Sequence, residues 1–304
     1  MRSTIASCLF AAAALLATAL LPARMAHADL ILLLSDDRPS ITGVAQAIQS
    51  AYQGKLEIHH LAGNRNSASR IAAAVQHSNK PQVVAIGLSA AQLARTRLTG
   101  KQVVFCQVLS HEKLGLVTPW MKGVSATPSI ATQFRAWKLL DPNLHRIGVI
   151  ASKNMKGALA EAQAAARANN LELIHIEAAV DREVPLALEQ LAGRIQGLWL
   201  APDSTILSAG VIREALSFSA KRGIQVLVFS PSLLKEGALL AGTADFNEIA
   251  RAVLSRLKQA SGASGVPGEP LMPLSSANLS VNAKAAEKFG LPLSEKFREF
   301  IHGE

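Results

Sequence analysis

The chain is predicted to be an α/β protein of two lobes, each a parallel sheet with helices on its faces. Three observations predict this. Short apolar runs rich in Val, Ile and Leu recur through the sequence, as strands buried on both faces require. Longer stretches with apolar residues three and four apart lie between them, which is helical spacing. The alternation runs once from Leu30, is interrupted between Lys113 and Pro142 by Pro119, Gly123 and Pro128, and starts again at Arg146.

In the first series Leu30–Leu34 is a continuous apolar strand, followed by the polar turn Ser35-Asp36-Asp37-Arg38-Pro39 and a helix over Ile41–Tyr52. Leu56–His60 is the next strand, Gly63-Asn64-Arg65-Asn66-Ser67 a polar loop and Ala68–His77 a helix. Strand Val83–Ile86 leads through the tight turn Gly87-Leu88-Ser89 into helix Ala90–Leu98, and Val103–Val108 is the fourth strand. The second series reads strand Ile147–Ile150, helix Gly157–Asn169, strand Leu171–Ile176, helix Val184–Arg194 and strand Gly197–Leu200. Helix Ala209–Arg222, strands Val226–Phe229 and Ala238–Ala241, and helix Asn247–Ala260 complete it. Two such series describe two Rossmann-like lobes with parallel sheets, joined by a hinge. We expect the first lobe over 29–117 with 242–268 returning to it, and the second over 118–241 with 269–304 completing it. No internal repeat of fixed period is visible, and 261–268 is a Gly/Ser/Pro-rich loop.

Residues 1–28 read as a cleavable secretory signal. Arg2 precedes an apolar stretch from Ile5 to Leu21, Pro22 breaks it, and Ala26-His27-Ala28 offers the small residues a signal peptidase reads. The apolar stretch is short for a membrane anchor. Ile5-Ala6-Ser7-Cys8 resembles a lipid-attachment box but stands too near Met1 to follow an apolar segment, so lipidation is not expected. The expectation is an exported protein, free in the periplasm and without stable membrane insertion.

Lys and Arg outnumber Asp and Glu by 31 to 22, yet the excess is spread along the chain and aromatics are 4% of residues. No basic run interleaved with aromatics is present, so nucleic acid is not an expected partner. After cleavage Cys106 is the single cysteine, which excludes an internal disulfide; in the apolar run Val103-Val104-Phe105-Cys106 it reads as a buried, inert thiol.

Catalytic signatures are missing. There is no phosphate-binding Gly-rich loop ending in Lys-Ser/Thr and no Gly-x-Ser-x-Gly elbow. His111-Glu112 starts like a zinc-protease helix, but Gly115 stands where the second histidine belongs. His59 and His60 point to opposite faces of a strand and cannot chelate one ion together. The reading is therefore a non-enzyme with no cofactor and no metal.

Ligands of two-lobed α/β proteins sit between the lobes, on loops at the carboxyl ends of the strands. Those loops are Ser35-Asp36-Asp37, Gly87-Leu88-Ser89 and Gln107 to His111 in the first series. In the second they are Ala151 to Asn154, Pro202-Asp203-Ser204-Thr205 and Ser230-Pro231-Ser232. Ser89 precedes a helix, so its hydroxyl either caps that helix or meets a ligand anion; Asp203 is open to the same two readings.

At these loops the chain resembles the periplasmic solute-binding proteins of ABC importers, in the subfamily related to aromatic amino-acid binding proteins. Ala85-Ile86-Gly87-Leu88-Ser89-Ala90-Ala91-Gln92 is similar to a family turn reading Gly-Thr-Pro-Ala-Ala-Gln. Val103 to His111 aligns on a strand that ends Val-Thr-Asp-Pro. Gly123-Val124-Ser125 matches a Thr-Gly-Val-Ser crossover, and Leu139-Leu140-Asp141-Pro142-Asn143 with Arg146-Ile147-Gly148-Val149 follows the next segment. Leu200-Ala201-Pro202-Asp203-Ser204-Thr205 matches a Pro-x-Asp-Asn-Thr loop. Gly237-Ala238-Leu239 with Asp245-Phe246, and Val281 to Leu291, match the last two motifs.

The resemblance implies a type I periplasmic binding protein fold. It also implies a protein that captures a small-molecule solute between its lobes and delivers it to an ABC permease. The alternative on the same fold is a sensory protein that signals to a membrane receptor. Candidate ligand-binding residues are Ser35, Asp36, Ser89, Gln107 and Ser110 in the first lobe and Asp203 and Asp245 in the second. Asp203→Ala is expected to weaken ligand binding without lowering the stability of the free protein. Leu88, Leu109-Ser110 and Ala151-Ser152 replace polar positions of the family, which argues against an amino acid and for a more apolar or bulkier solute.

Overall fold

The computed structural model describes residues 30–61, 65–109, 111 and 114–302. The signal segment, most of the loop before Arg65, and Ser110 lie outside the described residues.

Two six-stranded sheets form the protein. The first opens with β1 (Leu30–Leu34), α1 (Pro39–Ala51), β2 (Leu56–His60), α2 (Arg65–His77), β3 (Gln82–Ile86), α3 (Leu88–Arg97), β4 (Gln102–Cys106) and β5 (Met121–Val124). The chain then crosses to α4 (Ile130–Leu140), β6 (Arg146–Ala151), α5 (Lys156–Ala168), β7 (Glu172–Glu177), α6 (Val184–Leu191) and β8 (Gly197–Trp199). After α7 (Ala209–Arg222), β9 (Gln225–Val228) and β10 (Leu240–Thr243) it returns for α8 (Phe246–Ala260) and β11 (Leu271–Met272). A third crossing reaches β12 (Asn278–Val281), α9 (Ala283–Lys288) and α10 (Glu295–His302).

The strand orders are β2-β1-β3-β4-β5-β11 and β7-β6-β8-β9-β10-β12. All pairings are parallel except β10 with β12. This is the doubly wound α/β arrangement the alternation predicts, made twice. Parallel strands need buried faces, and β1 supplies them: Leu30 to Leu34 are each no more than 2% exposed. Burial of such side chains contributes about 1.5–3 kcal/mol apiece.

The sequence reading differs in three places. β5 and β11 pair in the first sheet, where the expected boundaries put 121–124 and 271–272 with the second lobe. The chain therefore crosses after Val124, after Thr243 and after Met272. The stretch read as a bare crossover also contains α4, whose Ile130, Phe134, Trp137 and Leu140 are buried on one face. Ser129 caps it, accepting a hydrogen bond from Thr132 N–H at 3.2 Å, so the prolines before it end at the helix start and do not break it. Finally, β10 lies two residues later than expected, at 240–243.

The three crossings are bonded to each other. Ser125 N–H donates to the Met272 carbonyl and Ser129 N–H to the Ser276 carbonyl, both at 2.9 Å. The Glu248 carboxylate, on α8, accepts from the amides and hydroxyls of Ser275 and Ser276. The hinge so formed is short and tied by these hydrogen bonds. It holds the two sheets with their carboxyl strand ends facing one cleft.

Candidate functional site

In a sheet of order 2-1-3-4-5 the connections leave in opposite directions from the two central strands, and a crevice opens beyond their carboxyl ends. Here those pairs are β1 with β3 and β6 with β8. Both crevices are bridged by one polar side chain. In the first, Ala90 N–H donates to Ser35 Oγ at 2.9 Å. In the second, Ser152 N–H donates to Asp203 Oδ2 at 2.7 Å.

Ser35 is buried, so its hydroxyl serves as an acceptor for the start of α3. The helix needs one from outside because its N-cap is Gly87, at φ 89°, which has no side chain to offer. A Cβ at Gly87 would lie 2.7 Å from Ser35 Oγ, so the glycine is required by both conformation and space. Ser89 stands inside the first turn of α3, exposed, and does not cap it.

Asp203 is 3% exposed and its carboxylate is engaged on both oxygens, with Thr205 N–H on Oδ1 at 3.0 Å. The N-cap of α7 is Ser208, which accepts from Val211 N–H. Asp203 is thus not the helix cap: it welds the β8 loop to the β6 loop. Asn154 Nδ2 adds a second tie to Thr205 Oγ1 at 2.8 Å.

The other candidates disperse. Asp36 chelates Arg38 through Nε and Nη2, each at 2.8 Å, and this pairing holds its carboxyl below the ordinary value. Gln107 adopts φ 56°, a left-handed conformation rare outside glycine, and turns the chain as it leaves β4. Ser110 lies outside the described residues. Asp245 caps α8 through Asn247 N–H at 2.8 Å, beside a separate depression lined by Thr132, Arg135 and Ser275 near the crossings.

The cavity between the sheets has a volume of 510 Å³, within the range of small-molecule sites. Val108, Leu109 and His111 line it from the β4 exit, and Ser125, Ala126 and Thr127 from the first crossing. The second sheet contributes a 3-10 turn at Lys153–Met155, the start of α5 from Lys156 to Ala158, Glu161 and Pro202. Glu161 is one helical turn beyond Gly157, so i, i+4 spacing could have found it. Its carboxyl accepts from Ile130 N–H, yet exclusion of water by the cleft walls pushes it above the ordinary value, although the side chain as a whole is exposed. The wall from Lys153 to Glu161 was largely missed because lysines at a helix start read as solvent-facing.

Among the described residues no group of three or more His, Cys, Asp or Glu could hold a metal ion. His59 pairs with Glu57 and His60 with Asp37, each at 2.8 Å. Cys106 is fully buried and its thiol is pushed up to about 12. No helix among the described residues is long and apolar enough to cross a membrane.

Residues 40–299 match the model of the ABC transporter substrate binding protein family. No curated protein sequence matches the chain at a significant level. Among solved structures, a ligand-free, open substrate binding protein with adhesive properties from Clostridium difficile is similar at TM-score 0.67 and 15% identity. The likeness covers 88% of this chain and 96% of that one. The ABC domain from Streptococcus pneumonia, solved with L-Trp, has TM-score 0.59 and 19% identity, covering 90% and 98%. A conserved domain protein from Vibrio cholerae has TM-score 0.58 and 18% identity, covering 90% and 97%. These likenesses carry the fold: two α/β halves of the type I periplasmic binding kind. The family match carries the role, substrate binding for ABC transport, and does not favour the sensory alternative. With residues 40–299, well over half of its length, matched by the family model, the chain belongs to the ABC transporter substrate binding protein family.

Proposed function

We propose that this protein captures a small solute in the cleft between its two sheets, outside the cytoplasm, and delivers it to an ABC permease. The observation that carries this reading is the 510 Å³ cavity, lined by strand-end loops of both sheets and by the first crossing. A solute there touches both halves at once, so its binding energy favours their approach, and closure presents a changed surface to the permease. Crossings after Val124, Thr243 and Met272 give the halves a common axis for that motion. The signal-like residues 1–28 support a place outside the cytoplasm, with Asp29 as the mature start on this reading.

The ligand contacts we assign are Leu109, Thr127, Asn154 and Lys156, with Gln107 shaping the β4 exit. Native mass spectrometry of protein taken from the periplasm tests the reading, because a solute trapped by closure survives purification. A thermal-shift screen is the companion, since a ligand at 100 times its Kd adds about 2.7 kcal/mol. A retained small molecule, or a melting temperature that rises with one, supports capture. Protein that carries nothing and responds to no solute counts against it.

A further inference from the structure

The two walls of the cleft differ in chemistry, and the difference selects a class of solute. Among the described residues four large hydrophobic side chains are left exposed, and one of them, Leu109 at 47%, lines the cavity beside Val108 at the β4 exit. Apolar surface held open at a cleft is favourable to cover. The opposite wall carries Lys153 and Lys156, three residues apart and both on the cavity. Lys153 is 83% exposed and only loosely paired, 3.6 Å from Glu177. No ion pair among the described residues involves Lys156.

A zwitterion entering this cleft needs an acceptor for its ammonium group. Among the described residues the one carboxyl on the lining, Glu161, already accepts Ile130 N–H and sits where charge is disfavoured. An ammonium group would therefore lose its hydration without gaining a good partner. A carboxylate meets two lysines whose attraction strengthens as closure removes water.

Resting on the reading of the cleft as the solute site, we infer that it selects an amphiphilic organic anion: a carboxylate on the Lys153 and Lys156 wall, an apolar body against Val108 and Leu109, and no cationic group.

Three probes of one skeleton test this by titration calorimetry on the mature chain: indole-3-propanoate, L-tryptophan and tryptamine. The anion should bind at least roughly tenfold more tightly than the zwitterion, and the amine should not bind. The double substitution Lys153→Gln with Lys156→Gln should weaken the anion by roughly tenfold or more, while Lys156→Arg should keep it. Leu109→Asn should weaken it without shifting the melting temperature of the free protein, which also shows that the variant folds. Equal or tighter binding of tryptophan, an anion insensitive to the double substitution, or no binding of the anion at millimolar concentration overturns the class. The two levels separate cleanly. Tryptophan that binds best yet is weakened by Leu109→Asn sinks the anion and keeps the cleft. A best probe untouched by Leu109→Asn and by the lysine substitutions sinks the cleft as well.

Discussion

The crevices of the two sheets are built on one plan and sealed by different chemistry. In the first, the neutral hydroxyl of Ser35 accepts one amide of α3. In the second, a buried carboxylate, Asp203, accepts two amides and joins two loops. The outer surfaces differ in the opposite sense: the first sheet ends in exposed leucines and the second in lysines and an asparagine. Ser35 and Asp203 therefore hold the crevices in shape, and on our reading the side chains left exposed on the cavity beside them face the solute.

Removing these seals breaks the comparison in order of strength. Asp203→Ala leaves the buried Ser152 amide, and with it the Thr205 amide, without its partner and should lower stability by about 1–3 kcal/mol, read from the urea midpoint. That reverses the expectation that its loss would spare the free protein. Ser35→Ala removes one neutral acceptor and should cost about 0.5–1.5 kcal/mol by the same measurement. Equal effects of the two substitutions would remove the distinction between the seals.

A smaller effect separates two glutamates near the crossings. Burial pushes Glu248 up, but its hydrogen bonds from Ser275 and Ser276 outweigh this and hold it below the ordinary value. Its contribution is present above the unfolded value and is lost as pH falls through the folded one. Glu161 is raised by loss of water, against its bond to Ile130, so its contribution is present below the unfolded value and is lost as pH rises through the raised one. Glu248→Gln should therefore flatten the acid side of the stability profile, and Glu161→Gln should make the protein slightly more stable at neutral pH. Melting temperatures taken across the acid range check both signs. Smallest on stability is Leu109→Asn, expected within about 0.5 kcal/mol because the side chain is exposed.

Most of the fold was legible because its signal is local. Runs such as Leu30–Leu34 and the helix spacing of 209–222 declare their elements without reference to the rest of the chain. The sheet membership of β5 and β11 was not, because a short strand such as Leu271–Met272 is defined only by its partner, Gly123–Val124. The site was legible in outline and not in detail. Of the strand-end loops named, those after β4, β6 and β8 line the cavity and those after β1, β3 and β9 do not. The roles of Ser35 and Asp203 depend on amides more than fifty residues away, at Ala90 and Ser152, and no local pattern reports such a bond.

Hydrogen exchange on the chain from Asp29 onward, with and without the tightest solute found in the screen, tests the central claim most directly. The account predicts slowed exchange in two places at once, at the β4 exit around Val108–Leu109 and across Lys153–Ala158. Slowing confined to one sheet, or centred on the distant depression around Val117–Pro119 and Ala263–Pro267, would contradict a solute held between the two halves.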